Sequence, residues 1–190
     1  DSDKVLDGIG AAIQAGFDPV KINCVVMKGV NDDEILDFAR FGREQGVTVR
    51  FIEFMPLDAD EIWSHDKVMP LREIVDIIGA EDDIEPVARS SAPASTWRYV
   101  DGQGEIGVIA TVTESFCDSC DRIRLTAEGG FHNCLFAVDQ YDMRALLRGG
   151  ADDDEIAEVL KGAVRDKWAG HQIGQVHFIR PKKSMSQLGG

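Results

Sequence analysis

Two stretches, PVKINCVVM at residues 19–27 and VTVRFIEFM at residues 47–55, decide the fold. Both are rich in β-branched residues and bounded by Pro or Gly, which is typical of buried strands. Apolar residues at helical spacing precede the first stretch, over residues 3–15, and recur between the two, over residues 31–45. The order helix, strand, helix, strand predicts an α/β fold with parallel strands, as in part of a barrel or an open doubly wound sheet.

The helix between the two strands has recognisable ends. Asn31 followed by Glu34 fits a capping pattern, with Asn in place of Ser or Thr. Gly46 is expected to end the helix, because glycine is the usual residue just past a helix C-terminus.

Ligands of parallel α/β folds gather at the carboxyl ends of the strands. Arg50, Glu53 and Met55 therefore lie towards a candidate site. The alternative is that Arg50 and Glu53 form a salt bridge within the sheet. In the first strand, Lys21 and Asn23 lie two residues apart and so share one face.

The middle and end of the chain contain further elements. Residues 69–78 are predicted to form a short helix, and residues 90–95 a linker or flexible loop. The turn sequence at residues 101–104 separates two β-rich runs and predicts a hairpin over residues 96–112. An acidic first turn, which suits the helix dipole, indicates a helix over residues 152–168.

Composition argues against a nucleic-acid binder. The 190 residues are 44% hydrophobic and carry a formal net charge of −14. Binding to nucleic acid or anionic membranes depends on neutralising phosphates, although a local cluster of cations suffices for a small phosphorylated ligand. No apolar run approaches the roughly 20 residues that cross a bilayer, and the first residues lack the features of a signal peptide. We therefore expect a cytoplasmic protein.

Three of the four cysteines, Cys117, Cys120 and Cys134, form a C-x2-C-x13-C pattern. A tight turn would point the thiolates of Cys117 and Cys120 at one centre, and a short hairpin would bring Cys134 to it. The set fits zinc with His132 as fourth ligand, and it equally fits a 4Fe–4S cluster with one iron left open. A CxxC redox pair is a third alternative. Cys24 is expected to be a buried small hydrophobe.

Two arginines follow the second thiol directly. If residues 122–126 form a strand, Arg122 and Arg124 share one face, which is unfavourable unless an anion or carboxylates offset their charge. A solvated face with acidic neighbours would explain them. Beside a metal centre, a phosphate or nucleotide ligand is the favoured interpretation.

Several stretches together carry a family resemblance. They are VKINCVVMKGVND at 20–32, VRFIEFMP at 49–56, ESFCDSCDRIRLTAEGG at 114–130, CLF at 134–136 and the terminal GG. In these stretches the sequence resembles the MoaA family of radical SAM enzymes, the GTP 3′,8-cyclases of molybdenum cofactor biosynthesis. Its FCxxCxRxRLT portion is much more specific than CxxC alone.

The resemblance implies a fold and a cofactor. Residues 1–60 would be the C-terminal half of an incomplete parallel (β/α) barrel. Residues 61–190 would be a C-terminal region of antiparallel strands and helices that binds a second 4Fe–4S cluster and substrate. Cys117, Cys120 and Cys134 would ligate this cluster, and its open iron would face the guanine base of GTP.

The resemblance also assigns the ligand contacts. Met55 matches a position that contacts S-adenosylmethionine, and Gly189 and Gly190 match a small catalytic tail that reaches into the active site. GTP binding is carried over to Lys21, Arg50, Arg122, Ile123 through its backbone, and Arg124.

One family motif is absent from the 190 residues: CxxxCxxC, which binds the cluster that cleaves S-adenosylmethionine. We therefore expect the C-terminal part of an enzyme that converts GTP to (8S)-3′,8-cyclo-7,8-dihydroguanosine 5′-triphosphate, inactive by itself. The expected partners are GTP and S-adenosylmethionine, with neither nucleic acid nor membrane, and a homodimer is left open. The rival interpretation is a non-enzymatic module stabilised by zinc on the three cysteines and His132.

Overall fold

The computed structural model divides the chain into two compact units. The first comprises Asp1–Phe54 and His65–Glu114, and the second comprises Met55–Ser64 and Ser115–Gly190. No helix in the described part of the chain is long and apolar enough to cross a membrane. The structure describes residues 2–57, 62–88, 92–167, 173, 178–181 and 184–188.

The first unit is the α/β part of the chain. The two predicted strands and the helices before and after the first of them are all present. Its elements are α1 (Ser2–Gln14), β1 (Lys21–Val26), α2 (Ile35–Gln45), β2 (Thr48–Glu53), α3 (Leu71–Gly79), β3 (Ile84–Pro86), β4 (Ser95–Tyr99) and β5 (Glu105–Ile109).

The five strands form one sheet in the order β1-β2-β5-β4-β3. β1 and β2 are parallel, as the sequence predicts, and β5 lies parallel to β2 on its other side. The predicted hairpin is confirmed as the antiparallel pair β4 and β5. Because β5 pairs with β2, the hairpin belongs to the first unit. The first unit therefore extends to Glu114, apart from Met55–Ser64, which belong to the second unit.

One face of this sheet forms the main core. Val49 and Phe51 of β2 are fully buried there, against Ile35 of α2 and Ile74 and Ile78 of α3. Burying each of these side chains stabilises the unit by about 1.5–3 kcal/mol. The pattern of alternate apolar residues in β2 thus sets which face the helices cover.

The opposite face of the sheet carries the polar residues. Lys21 and Asn23 of β1 are exposed, and Arg50 of β2 is half-buried. The parallel register sets Asn23 beside Arg50, and Arg50 beside Gly107 of β5. The strand pairing therefore brings a lysine, an amide and an arginine to one face.

The predicted cap of α2 is wrong. In the described part of the chain, the Asn31 side chain makes no capping hydrogen bond. Its Oδ1 accepts from the Met27 N–H at 2.7 Å, and its Nδ2 donates to the Val25 carbonyl at 3.0 Å. Asn side chains readily bond to nearby backbone in turns, and here that competing use wins. The predicted end of the helix is confirmed, since Gly46 has φ 66°.

The second unit contains a small antiparallel sheet in the order β6-β7-β8, with two helices. Phe131 of the sheet packs with Met143 and Ala163 of the helices in a buried cluster. The first strand is shorter than the predicted 122–126, so Arg122 lies outside it. The elements are β6 (Arg124–Leu125), β7 (Gly130–His132), β8 (Tyr141–Asp142), α4 (Met143–Arg148) and α5 (Asp153–Arg165).

Replacing Gly129 by alanine is expected to destabilise the second unit by about 2–4 kcal/mol. Gly129 has φ 88°, and an added Cβ would lie 2.7 Å from the Cβ of Arg144. Gly102 is a matched control, because its φ is 77° and an added Cβ would meet nothing within 4 Å. Gly102→Ala should cost about 1–2 kcal/mol from backbone strain alone. Urea unfolding measures both, and equal losses would contradict the predicted clash.

Candidate functional site

The first two predicted ligands lie on one tight turn. Residues Cys117–Ser119 form a single 3-10 turn, closed by the Cys120 N–H, which donates to the Cys117 carbonyl at 3.1 Å. Both cysteines are half-buried, so their thiols are shielded from bulk water without being sealed off. This geometry suits two ligands of one metal centre.

Cys134 is the third half-buried thiol and follows β7. Its Sγ accepts from the Phe136 N–H at 3.5 Å. Burial raises the pKa of the Cys134 thiol, the Phe136 N–H and Lys167 lower it, and neighbouring Cys117 and Cys120 raise it. Cys117 and Cys120 are thus close enough to Cys134 to contribute to the raised pKa of its thiol. A centre that bound them as thiolates would have to offset this mutual repulsion.

The thiols do not converge on a single point. Among the residues that the structure describes, no three His, Cys, Asp or Glu side chains are grouped so as to hold one metal ion. His132, weighed as a zinc ligand, is 3% exposed and lies on β7 directly opposite Arg124.

Arg122 is directed towards the thiol-bearing turn. Its Nη1 lies 3.9 Å from the Cys120 Sγ, and its guanidinium carbon lies 5.0 Å from the centroid of the Phe116 ring. The Lys167 ammonium donates to the Arg122 backbone carbonyl. Two cations therefore approach the segment that carries the thiols, which favours anionic ligands there.

Arg124 has a different partner. Its Nη1 donates to the Leu188 carbonyl at 3.0 Å. The intervening Ile123 is exposed. The two arginines are thus held separately, one by the ring of Phe116 and one by the end of the chain.

Lys21 and Arg50 belong to the first unit. The Arg50 Nε donates to the Asn23 Oδ1 at 2.9 Å, which fixes the guanidinium on the polar face of the sheet. A Cβ at Gly107 would lie 3.1 Å from the Arg50 Cγ, so glycine leaves the room that the arginine occupies.

Arg50 and Glu53 do not form the salt bridge that the sequence offered as an alternative. The two residues point to opposite faces of β2, and Glu53 is fully buried. Its carboxylate accepts from the N–H groups of Leu71 at 3.1 Å, Val112 at 2.8 Å and Thr113 at 2.9 Å, and from the Thr113 hydroxyl. Glu53 therefore anchors the segment that leads to the CxxC turn. The only feature of the sequence that could have indicated this role is the place of Glu53 at the end of an apolar strand.

The remaining predicted residues lie near the end of the chain or just after β2. Met55 packs against a buried cluster formed by Leu57, Phe136 and Leu188. Gly189 and Gly190 lie outside the described residues. Cys24 is buried in the first unit, as expected for a small hydrophobe, and burial raises its pKa.

Comparisons with known proteins agree with the sequence resemblance. A family model described as Molybdenum Cofactor Synthesis C matches residues 47–173. The chain is 41% identical over 193 residues to the GTP 3′,8-cyclase of Rhodopirellula baltica, covering 99% of this chain and 54% of that protein. It is 43% identical over 188 residues to the GTP 3′,8-cyclase of Rhodococcus opacus, covering 98% and 53%. The chain thus spans about half the length of the curated relatives it matches.

Proposed function

Because the chain belongs to the Molybdenum Cofactor Synthesis C family, we propose that it is the C-terminal part of a GTP 3′,8-cyclase. The reaction would convert GTP to (8S)-3′,8-cyclo-7,8-dihydroguanosine 5′-triphosphate. The observation that carries the proposal is the 41% identity to a GTP 3′,8-cyclase over 99% of this chain. The CxxC turn with Arg122 beside it, and Cys134 near that turn, support it. In this proposal, residues 1–60 are the C-terminal half of an incomplete parallel (β/α) barrel.

A 4Fe–4S cluster does not require the three thiols to meet at one point, because each thiolate binds a different iron. Thiolates are the usual ligands of such clusters, and Cys117, Cys120 and Cys134 are half-buried neighbours. Three protein ligands leave one iron open for a substrate atom. When bound, the cluster would supply a Lewis acid that orients the guanine base. Arg122, at 3.9 Å from the Cys120 Sγ, would partly offset the negative charge of the thiolates.

Cationic side chains would bind the triphosphate. Guanidinium groups bind phosphates through paired hydrogen bonds, and each arginine has five donors. Arg124 uses one donor on the Leu188 carbonyl and Arg50 one on Asn23, so both retain donors for a phosphate. Lys21 would add a charge from the polar face of the sheet, and the backbone of Ile123 would contact the base.

S-adenosylmethionine enters the proposal through Met55. Met55 follows the carboxyl end of β2, where ligands of parallel sheets bind. Gly189 and Gly190 would form the catalytic tail. The chain holds no CxxxCxxC motif, so we propose that it does not cleave S-adenosylmethionine by itself.

Metal analysis of anaerobically purified protein tests the proposal. We expect about four irons and matching sulfide per chain. One zinc and no sulfide would instead support the module in which His132 is the fourth ligand. A protein that binds neither metal under reducing conditions would reject both.

Replacing Arg122 or Arg124 by alanine is expected to weaken GTP binding by about 10- to 100-fold, because each loses charge-assisted hydrogen bonds to phosphate. Arg98→Ala is a matched control, since Arg98 pairs with Glu85 on the surface. Equilibrium binding of GTP to the purified protein measures the change. Unchanged affinity in the two variants would remove them from the GTP site.

A further inference from the structure

Residues 184–188, which we call the tail segment, form a short docked turn. We infer that Leu188 and Arg124 latch this segment in place, and that the docked segment shields the thiol of Cys134 from solvent. The inference goes beyond the proposed function and depends on it only for the identity of the group that the thiols bind.

The side chain of Leu188 makes the apolar half of the latch. It is 3% exposed, although it lies near the end of the chain, and it completes a buried cluster with Leu57 and Phe136. Cys134 and Met55 pack against the same cluster. Undocking the tail segment would therefore open the apolar surface against which the third predicted ligand lies.

Arg124 makes the polar half of the latch. Its guanidinium donates to the Leu188 carbonyl at 3.0 Å across 64 residues of sequence. A hydrogen bond from a charged donor stabilises more than a neutral one does. Arg124 is itself fixed on β6, opposite His132 of β7. The small sheet thus holds both the hairpin that leads to Cys134 and the anchor of the tail.

The tail segment is also ordered locally. Residues Met185–Leu188 form a 3-10 turn. The Gln187 N–H donates to the Ser184 carbonyl at 3.1 Å, and the Gln187 Oε1 accepts from the Ser184 N–H at 2.9 Å. This reciprocal pair closes the turn before Leu188, so less conformational entropy is lost when the segment docks.

Arg124 is also a proposed phosphate ligand. Its guanidinium would then bind both a phosphate and the Leu188 carbonyl. In that case Arg124 acts as a positioning residue for the tail in addition to any contact with substrate.

The test measures alkylation of Cys134 by iodoacetamide in reduced, metal-free protein, with mass spectrometry to resolve each cysteine. We expect Leu188→Ala to accelerate alkylation of Cys134 by about tenfold or more. The buried Cys24 should keep its rate and serves as the internal reference. Leu147→Ala is the control variant, because Leu147 is an exposed leucine of α4.

A second variant tests the polar half by another readout. Arg124→Gln should speed amide hydrogen exchange in residues 184–188 by about tenfold, while exchange in α5 stays unchanged. Faster exchange throughout the second unit would indicate misfolding and overturn the assignment of Arg124 as a specific anchor. Unchanged Cys134 alkylation in Leu188→Ala would overturn the shielding, even if iron analysis supports the cluster. Zinc in the metal analysis would overturn the proposed function and leave this result standing.

Discussion

Replacing Glu53 by alanine is expected to lower the free energy of unfolding of the first unit by about 3–5 kcal/mol. The carboxylate is fully buried and accepts from three backbone N–H groups, on Leu71, Val112 and Thr113, as well as from the Thr113 hydroxyl. Alanine would leave these donors without their acceptor and would open a cavity at the end of β2. Such buried donors are costly, because water cannot replace the lost partner without entering the core.

The measurement is urea unfolding of Glu53→Ala and of Glu85→Ala as a control. Glu85 pairs with Arg98 at 2.6 Å, but both side chains are largely exposed, so its loss should cost about 1 kcal/mol or less. Glu53→Gln should fall between the two, since the amide keeps one acceptor oxygen and turns the other into a donor. A loss below about 1 kcal/mol in Glu53→Ala would contradict the anchoring role.

The parallel pair β1 and β2 was predictable because local signals agree. Two runs rich in β-branched residues, the helical spacing of apolar residues between them and Gly46 at the helix end all indicate the same fold. Asn31 shows where local reasoning fails. Its side chain can cap a helix or close a turn, and the choice depends on the nearby Met27 and Val25 backbone. Sequence spacing does not show whether an Asn side chain will cap a helix or close a turn.

The pairing of strands that lie far apart in the sequence was the larger part of the fold that could not be predicted. The pairing of β5 with β2 joins segments more than fifty residues apart, and no local pattern in residues 96–112 indicates it. The candidate site likewise has a part that local sequence patterns predict and a part that they do not. Spacing alone selected Cys117, Cys120 and Cys134 as candidate metal ligands, because such ligands follow local sequence patterns. Neither the partners of Glu53 nor the bond from Arg124 to Leu188 could be predicted, because each depends on the finished fold.

Replacing Cys134 by alanine is expected to abolish nearly all iron binding, whereas Cys24→Ala should leave it unchanged. Cys134 is a half-buried neighbour of Cys117 and Cys120, while Cys24 is buried in the other unit. A cluster held by three thiolates keeps only two after the change, and its fourth iron already lacks a protein ligand. Iron, sulfide and the visible absorption of anaerobically reconstituted protein measure the loss.

The His132→Ala variant distinguishes the 4Fe–4S cluster from the zinc centre. His132 is 3% exposed, beside Arg124 in the sheet, so the substitution also costs packing and needs a stability measurement beside it. If the three cysteines alone hold a cluster, the variant should retain iron once it is shown to be folded. If His132 is the fourth ligand of zinc, removing it should weaken metal binding by at least about tenfold. Iron retained in folded Cys134→Ala would contradict the three-cysteine assignment, because the CxxC turn would then suffice.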